Sequence, residues 1–391
     1  ILIFSVIFGV IEFIRGIIFT GFPWNLFAFS FSENIEFIQI LSIFGTYGFN
    51  MICISIFLLP GYFILNKAKK EYFVGIFFLI IFISSWIFGY NELNKGNKNL
   101  IKKDTYLIKI VSPKISIDRF YDNNEEEKII EDLINLSNPD IDIPTIFIWP
   151  EGVLTSTYLK DLKDYHQLFL KSFSVKHLIV LGVNDLKFKN QNAKVYNSLV
   201  VINKNLDVQA KYYKNNLVPF GEFLPLSSFF KKLGLRSITN GYQSFISGKS
   251  RKVLDVENDI FSLSFLPLIC YEIIYSGKLS QDRDFDLIIN ISEDGWFRKS
   301  IGIEQHFSHS IFRAIEEGKN IARSTNNGIS AFVDSHGVLQ QKKESTQGSV
   351  IEIKKYYIGK TTLFSRYGNK MFFYLLIFYI SFIFYINLKK D

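Results

Sequence analysis

The sequence is poor in cysteine: its two cysteines, Cys53 and Cys270, lie far apart in the 391 residues. Two such cysteines exclude a disulfide framework and a zinc site built from several cysteines. The sequence also lacks GxGxxG and GxxxxGK[ST] motifs, so a nucleotide site has no support and no cofactor is expected. Among five histidines, His306 and His309 show helical spacing without a third ligand, which favours helix packing over a metal site.

Charge is scarce at the beginning of the chain. The segment 1–90 holds 8 of the 81 charged residues, and the whole chain has a net charge of +7. This division excludes a fully soluble protein and a fully disordered one. Three apolar stretches are long enough to cross a hydrocarbon layer of ~30 Å. They are Phe37–Leu65, Phe73–Tyr90 and Met371–Leu388. A fourth candidate, Ile1–Phe19, contains Glu12 and Arg15, which can pair on one helix face.

The lysines predict the orientation of these spans. Two clusters lie at the ends of predicted spans, at Lys67, Lys69 and Lys70 and at Lys389 and Lys390. The positive-inside rule places both clusters in the cytoplasm and the segment 91–370 outside, although four lysines between 95 and 103 argue against this. The chain begins at Ile1 within an apolar run, so we expect it to be truncated upstream.

From Tyr106 onward, short strand-like runs alternate with helix-like stretches, which indicates an α/β domain of roughly 250 residues. The strand-like runs are TYLIKIVS, TIFIWP, HLIVLGV, NSLVVIN, LSFLPLIC, DLIINIS and GISAFVDS. EEEKIIEDLINLS and HFSHSIFRAIEEGKNIAR are predicted helices. We expect residues 1–91 to form a transmembrane domain, 104–356 a catalytic domain and 371–388 a C-terminal transmembrane helix.

Polar residues stand where several predicted strands end. Glu151 follows IFIWP, Cys270 follows LPLI, and Lys214 precedes a Pro- and Gly-rich turn that contains Glu222. Sites in α/β folds are built at the carboxyl ends of strands. A thiol, a carboxylate and an ammonium together can make a nucleophilic site in which Glu takes the thiol proton and Lys stabilises an oxyanion. Taken singly, Cys270 could be a buried apolar residue, Glu151 a helix N-terminal residue and Lys214 a surface lysine.

Four motifs, WPEG, YYKNNLVPFGEFLP, LICYEI and RSTNNGISA, together resemble the nitrilase superfamily and, within it, the apolipoprotein N-acyltransferase family. EFIRGIIFTGFPWNLFAFSF and the C-terminal span resemble the membrane segments of that family. The resemblance implies an αββα four-layer sandwich on the periplasmic side of the bacterial inner membrane, beside an α-helical transmembrane domain. Because the family usually has further spans upstream, it also supports the expected N-terminal truncation.

The resemblance implies roles for individual residues. The catalytic triad falls on Glu151, Lys214 and Cys270. The supporting residues are Glu222, Tyr271 and Glu272, with a structural role as the alternative for the two carboxylates. Cys270 would take a fatty acyl group from a glycerophospholipid as a thioester and pass it to the α-amine of a diacylglyceryl-modified N-terminal cysteine. Neither step needs ATP or a metal.

Four further residues, Trp296, Phe297, Asn326 and Asn327, are candidates for the substrate cavity, although Asn-Asn-Gly is also typical of a turn. The chain reads SEDGWFRK where the family commonly reads Asn-Asp-Ala-Trp-Phe-Gly, so Glu293 and Arg298 replace Asn and Gly. Phe120 stands where a Trp is often found. The basic, apolar segment Ser227–Ser237 could enter the lipid interface or form a surface helix.

Three other functions compete with the acyltransferase. A membrane-tethered amidase would use the same Glu-Lys-Cys residues with water as acceptor. A catalytically inactive lipoprotein-binding scaffold is disfavoured by the intact triad. The positive net charge would suit a nucleic-acid-binding protein, but the sequence contains no nucleic-acid recognition motif, so no nucleic-acid partner is expected.

Overall fold

The computed structural model describes residues 1–65, 69–96, 100–121, 126–189, 192–225, 244–277, 279, 283–344 and 347–388. The helices are α1 Leu2–Arg15, α2 Ile35–Ile38, α3 Leu41–Phe57, α4 Leu59–Leu65, α5 Lys69–Asn94, α6 Glu126–Ser137, α7 His166–Ser172, α8 Gly302–Glu317, α9 Leu363–Tyr367 and α10 Lys370–Leu388. The predicted interfacial segment Ser227–Ser237 lies outside the described residues.

The strands are β1 Ile101–Lys103, β2 Leu107–Ser112, β3 Thr145–Ile148, β4 His177–Lys189, β5 Asn192–Ile202, β6 Val208–Tyr213, β7 Leu254–Glu257, β8 Ser262–Ile269, β9 Leu287–Glu293, β10 Asn320–Asn326, β11 Ile329–Val333, β12 Leu339–Glu344, β13 Ser349–Ile353 and β14 Tyr356–Ile358. The predicted strands are therefore present, and GISAFVDS contributes β11.

Among the described residues, three helices are long and apolar enough to cross a membrane, as predicted. They are Leu41–Gly61, Tyr72–Asn94 and Lys370–Leu388. The predicted stretch Phe37–Leu65 is divided into three helices, and Gly45 breaks the regular backbone of α3 with φ of 66°. The fourth candidate stretch, Ile1–Phe19, contains α1, whose 14 residues extend over about 21 Å. Its Glu12 and Arg15 form the predicted ion pair.

Two six-stranded sheets form the body of the protein. Their strand orders are β13-β2-β3-β4-β5-β6 and β12-β11-β10-β9-β8-β7 within the described residues. Strands β2, β3 and β4 run parallel, as do β8, β9 and β10. The runs TIFI and LIINISE are buried along their whole length, which is typical of strands covered on both faces.

The layers are held together by three apolar cores. Ile108, Ile148, Phe265 and Ile289 belong to the core between the two sheets. Helices α6 and α7 cover the outer face of the first sheet. Helix α8 covers the second sheet, and that core continues into α2 and α3 without a boundary. The predicted αββα four-layer sandwich with an α-helical membrane part is therefore confirmed.

One predicted helix is too long. The stretch from His306 to Arg323 reads as one helix in sequence, but α8 ends at Glu317, where Gly318 adopts the left-handed conformation with φ of 64°. The chain then forms β10, which pairs in parallel with β9. Every residue of β10, including Arg323, is buried although most are polar, so an apolar periodicity does not reveal it.

Candidate active site

The chain direction brings three predicted residues to one edge of the sandwich. Glu151 follows β3 and Cys270 follows β8, so both lie at the carboxyl ends of parallel strands. Lys214 follows β6, which runs in the same direction as β4 because the chain reverses twice between them. All three side chains line one cavity of about 400 Å³.

Glu151 is held by contacts to several strands. A Cβ on Gly182 of β4 would lie 2.8 Å from Cα of Glu151, so only glycine leaves room for this backbone. The Oε1 atom accepts a hydrogen bond of 2.7 Å from Nδ2 of Asn197, and Oε2 accepts one of 3.2 Å from the backbone N–H of Glu293. Burial raises the pKa of Glu151, although Lys214 and Asn197 oppose the shift.

Lys214 joins two carboxylates. Its side chain is 1% exposed, and Nζ lies 3.2 Å from Oε1 of Glu151 and 2.9 Å from Oε1 of Glu222. Burial alone would lower the pKa of Lys214, but the two carboxylates outweigh burial and raise it well above its usual value. Lys214 is therefore a fixed cation at the cavity wall.

Glu222 completes this cluster from a turn. Its Oε1 atom also accepts a hydrogen bond of 2.9 Å from Nδ2 of Asn197, and its Oε2 atom accepts one of 2.8 Å from the backbone N–H of Val218. One amide and one ammonium thus hold both Glu151 and Glu222. Sequence reasoning missed Asn197, because a single Asn within the apolar strand β5 carries no motif.

Cys270 sits at a strained corner. Its φ of 52° lies in the left-handed region of backbone conformation. Residues other than glycine rarely adopt this conformation, and those that do are often found at functional sites. The corner follows β8 directly and leaves the half-buried thiol on the cavity wall. Burial raises the pKa of Cys270, the Glu151 carboxylate raises it further, and the Lys214 ammonium lowers it. The thiol therefore stays protonated until a base accepts its proton.

The two residues after the thiol differ in position. Tyr271 lines the cavity, with its ring centroid 5.8 Å from Nζ of Lys214, and its hydroxyl donates a hydrogen bond of 2.7 Å to the carbonyl of Leu217. Glu272 is fully buried and is not among the cavity-lining residues. Its carboxylate accepts hydrogen bonds of 2.9 Å from the backbone N–H groups of Asn215 and Ile269. These bonds connect the residue after Lys214 to the residue before Cys270.

The predicted substrate residues divide into two pairs. Trp296 and Phe297 line the cavity, and the Trp296 ring packs 4.9 Å from that of Phe120, so Phe120 supplies the aromatic wall. Asn326 and Asn327 are not among the residues that line this cavity. They support the loop behind it: Nδ2 of Asn326 donates a hydrogen bond of 2.7 Å to Oε2 of Glu293.

The departures in SEDGWFRK have structural consequences. Glu293, in place of Asn, forms a buried ion pair with Arg119 and accepts a hydrogen bond of 2.8 Å from the Gly295 backbone. Burial raises the pKa of Glu293, although Arg119 opposes the shift. Arg298, in place of Gly, adopts φ of 51° and ψ of −146°, a region that favours glycine.

Behind the thiol lies a buried polar cluster that sequence reasoning did not assemble. Asp294 accepts hydrogen bonds of 2.9 Å from Nδ1 of His306 and 2.8 Å from Nη2 of Arg323. Burial opposes ionisation of Asp294, but Arg323 and His306 hold its pKa well below the usual range. His306 is thus a buried partner of a carboxylate, in line with the predicted role in helix packing.

A loop of the membrane part closes the cavity. Phe22 and Trp24, which follow α1, lie on its wall, and Nε1 of Trp24 donates a hydrogen bond of 2.8 Å to Oε1 of Gln305 in α8. The remaining wall is largely apolar. Its other apolar members are Leu154, Val183, Val218 and Phe245. The cavity therefore combines one polar reactive end with an aromatic lining that comes from both parts of the chain.

Comparisons with known proteins agree with this arrangement. Residues 148–356 match the carbon-nitrogen hydrolase family, and residues 1–59 match the apolipoprotein N-acyltransferase N-terminal domain. The chain is 33% identical to an apolipoprotein N-acyltransferase from Wigglesworthia glossinidia brevipalpis, over 96% of this chain and 74% of that protein. It is 31% identical to one from Rickettsia prowazekii, over 100% of this chain and 77% of that protein.

Among solved structures, the chain is similar to an amidase from Nesterenkonia sp. AN1, with a TM-score of 0.45 and 9% identity over 68% of this chain and 94% of that one. The family expected from the sequence motifs is confirmed by these relatives, which match nearly the whole of this chain. Nothing in the comparison with them favours the amidase alternative. The chain belongs to the apolipoprotein N-acyltransferase family and is a membrane acyltransferase of the carbon-nitrogen hydrolase class.

Proposed function

We propose that this chain transfers a fatty acyl group from a glycerophospholipid, through a thioester on Cys270, to the N-terminal amine of a diacylglyceryl-modified cysteine of an apolipoprotein. One observation carries the proposal. The thiol, Glu151 and Lys214 share a cavity of about 400 Å³ whose wall is largely apolar and includes Phe22 and Trp24 of the membrane part. A membrane-tethered amidase that acts on small amides does not need an apolar cavity that continues to the membrane part, whereas an enzyme that takes an acyl chain from a bilayer does.

In the first half-reaction, Glu151 acts as the general base. It accepts the Sγ proton of Cys270 as sulfur attacks the ester carbonyl of the phospholipid. The negative charge that develops on the carbonyl oxygen is stabilised by the Lys214 ammonium and by the backbone N–H of Tyr271. When the carbon–oxygen bond breaks, Glu151 returns the proton to the leaving alkoxide, and a lysophospholipid departs.

In the second half-reaction, the acceptor amine attacks the thioester carbonyl. Glu151 accepts a proton from the attacking nitrogen, and the carbon–sulfur bond breaks as the amide forms. The sulfur recovers its proton from Glu151, which restores the starting state. Glu222 keeps Lys214 oriented throughout, because its carboxylate contacts Nζ at 2.9 Å.

The location of the site follows from the same proposal. We assign the protein to the bacterial inner membrane, with residues 1–91 and 371–388 as its transmembrane parts and 104–356 as a catalytic domain on the periplasmic side. The cluster of Lys67, Lys69 and Lys70 is then cytoplasmic, as the positive-inside rule requires. This orientation gives the cavity access to lipids of the outer leaflet and to exported acceptors.

The experiment isolates the two half-reactions. The full chain in nanodiscs is first incubated with phospholipid vesicles, and the acylated protein is then separated and mixed with a synthetic diacylglyceryl-cysteine peptide. We expect the acyl group to leave the protein only when this peptide is present, and to appear on its α-amine. The matched control is the same peptide with an acetylated α-amine, which cannot accept.

Two outcomes would contradict the proposal. Loss of the acyl group to water at the same rate with or without peptide would indicate a hydrolase. Acylation of the acetylated control peptide would indicate that the α-amine is not the acceptor.

A further inference from the structure

The short segment Cys270–Gly277, which begins at the thiol, is linked to the membrane part at three separate places. The first link runs through α8 to the kink in α3, and the other two are direct contacts, one with the loop after α1 and one with the residue before α10. Two of these links join residues that are more than 200 positions apart in sequence, Tyr275 with Thr20 and Arg313 with Thr46. The segment is therefore the point where the nucleophile and the membrane helices meet.

The first contact runs through a buried ion pair in α8. Nε of Arg313 lies 2.7 Å from Oε2 of Glu316, and both side chains are fully buried. Oε1 of Glu316 accepts hydrogen bonds of 2.7 Å from Oγ of Ser276 and 2.7 Å from Oγ1 of Thr46. Nη1 of Arg313 donates one of 3.0 Å to the carbonyl of Ile274.

The kink in α3 makes this contact possible. Because Gly45 interrupts the helical backbone, the N–H of Thr46 points away from the helix and donates a hydrogen bond of 2.5 Å to Oε1 of Glu316. The Thr46 hydroxyl also accepts a hydrogen bond from Arg313. Helix α3 of the membrane part thus provides two polar groups of Thr46, its N–H and its hydroxyl, as partners of the buried ion pair in α8. The ion pair keeps these partners only while α3 and α8 hold their relative position.

The second and third contacts hold the segment from other directions. The Tyr275 hydroxyl lies 3.0 Å from the carbonyl oxygen of Thr20 and 2.8 Å from the Tyr271 hydroxyl oxygen. Nδ2 of Asn369, one residue before α10, donates a hydrogen bond of 3.1 Å to the carbonyl of Ser276. Gly277 has φ of 66°, and a Cβ there would lie 2.5 Å from the Asn369 side chain, so this approach requires glycine.

We propose that Cys270–Gly277 is an anchor that sets the position of the thiol relative to the bilayer, with Thr46 and Asn369 as positioning residues for acylation by a membrane lipid. The proposal rests on the proposed function. A disturbed anchor would move the thiol relative to a lipid donor and would leave the Glu151–Lys214 chemistry unchanged. It should therefore matter for a donor held in a bilayer and not for one that diffuses freely in water.

The test compares two acyl donors on the full chain in nanodiscs. One donor is phospholipid in the surrounding bilayer, and the other is water-soluble p-nitrophenyl acetate. Intact-mass spectrometry follows acylation of Cys270 in each case. We expect Thr46→Val and Asn369→Ala each to slow acylation by the lipid about tenfold, because small misplacements of reacting groups are costly, and to leave acetylation within about twofold of wild type.

Ser55→Ala provides the matched control. Ser55 lies in the same helix α3, is fully buried, and forms hydrogen bonds of 2.9 Å with Ser5 and Tyr379 inside the membrane part. We expect this variant to behave as wild type with both donors. Equal slowing of Thr46→Val with both donors, or no slowing with the lipid, would overturn the anchor. If wild type itself takes no acyl group from lipid yet is acetylated, the proposed function fails and the anchor with it.

Discussion

Two of the buried clusters of opposite charges in this protein differ in what surrounds them. Lys214 with Glu151 and Glu222 borders the cavity that contains the thiol. Arg313 with Glu316 lies in the packing between α8, α3 and the thiol segment. Both clusters are almost free of solvent, so burial of charge alone does not distinguish a catalytic site from a structural one.

The chemistry of the cations explains the difference. Arg313 is a planar guanidinium that makes several directed contacts, which suits a structural contact between elements. Lys214 is a point charge beside a carboxylate whose pKa is raised by burial, and it borders a cavity of about 400 Å³. A reactive cluster therefore needs a proton acceptor, a nucleophile and open space beside it. A structural cluster needs protein groups as the hydrogen-bond and ion-pair partners of all its charges.

The largest expected effect comes from removing the cation of the reactive cluster. Lys214→Met should lower the rate of Cys270 acylation by roughly 10²–10³-fold, because one oxyanion donor is lost. Stopped-flow acetylation by p-nitrophenyl acetate measures this rate. The matched control is Lys211→Met in β6, the strand that precedes Lys214. The Lys211 ammonium lies 2.9 Å from the Asp185 carboxylate, and its side chain is 30% exposed. Comparable rates for the two variants would contradict the role of Lys214.

The structural cluster should respond in stability instead. Glu316→Gln leaves the buried Arg313 without its countercharge, so we expect the free energy of unfolding to fall by about 3 kcal/mol. Thermal unfolding of the full chain in detergent measures the effect. Glu344→Gln removes the carboxylate of an exposed pair with Lys342 and should change stability by less than about 0.5 kcal/mol. Equal unfolding temperatures for both variants would show that the Arg313–Glu316 pair does not contribute to the free energy of unfolding.

Asn197 should act through the protonation of Glu151. The thiol proton needs the carboxylate form, so the acylation rate falls as pH decreases through the pKa of Glu151, which burial raises. The amide of Asn197 donates to this carboxylate and lowers its pKa, so Asn197→Leu should raise the pKa further. The acid limb of the pH–rate profile then moves to higher pH. Asn203→Leu, in the turn after the same strand, should leave the limb in place, and an unmoved limb in Asn197→Leu would refute the assignment.

The smallest expected effect concerns the loop with the departures from the family pattern. Arg298 has φ of 51° and ψ of −146°, which is costly for any residue with a Cβ. Arg298→Gly should therefore raise the free energy of unfolding by about 1 kcal/mol. Lys299→Gly, next to it and without a positive φ, should not stabilise the protein. Thermal unfolding in detergent compares the two, and a destabilised Arg298→Gly would show that the guanidinium makes contacts that outweigh the strain.

Much of the fold and of the reactive cluster follows from the sequence. The apolar runs identify most strands because parallel strands are buried on both faces, and the residues after them converge because the carboxyl ends share one edge. Glu151, Lys214 and Cys270 were therefore predictable as a group. Strand β10 was not, since its buried polar residues, such as Arg323, mimic a helix surface.

The remaining features depend on contacts between distant segments. Asn197 joins two carboxylates that lie 46 and 25 residues away, and Thr46 meets Glu316 across 270 residues. No local pattern encodes such pairs. Asn326 and Asn327 illustrate the converse case, because their motif suggested a substrate contact while their side chains support the loop of Glu293.

The most direct test of the central claim is intact-mass spectrometry of the purified full chain after incubation with phospholipid vesicles of a single acyl composition. The account predicts one added acyl mass, labile to hydroxylamine, on the peptide that contains Cys270, present in Cys53→Ala and absent in Cys270→Ala. A protein that gains no acyl mass, or gains it in Cys270→Ala, would contradict the account.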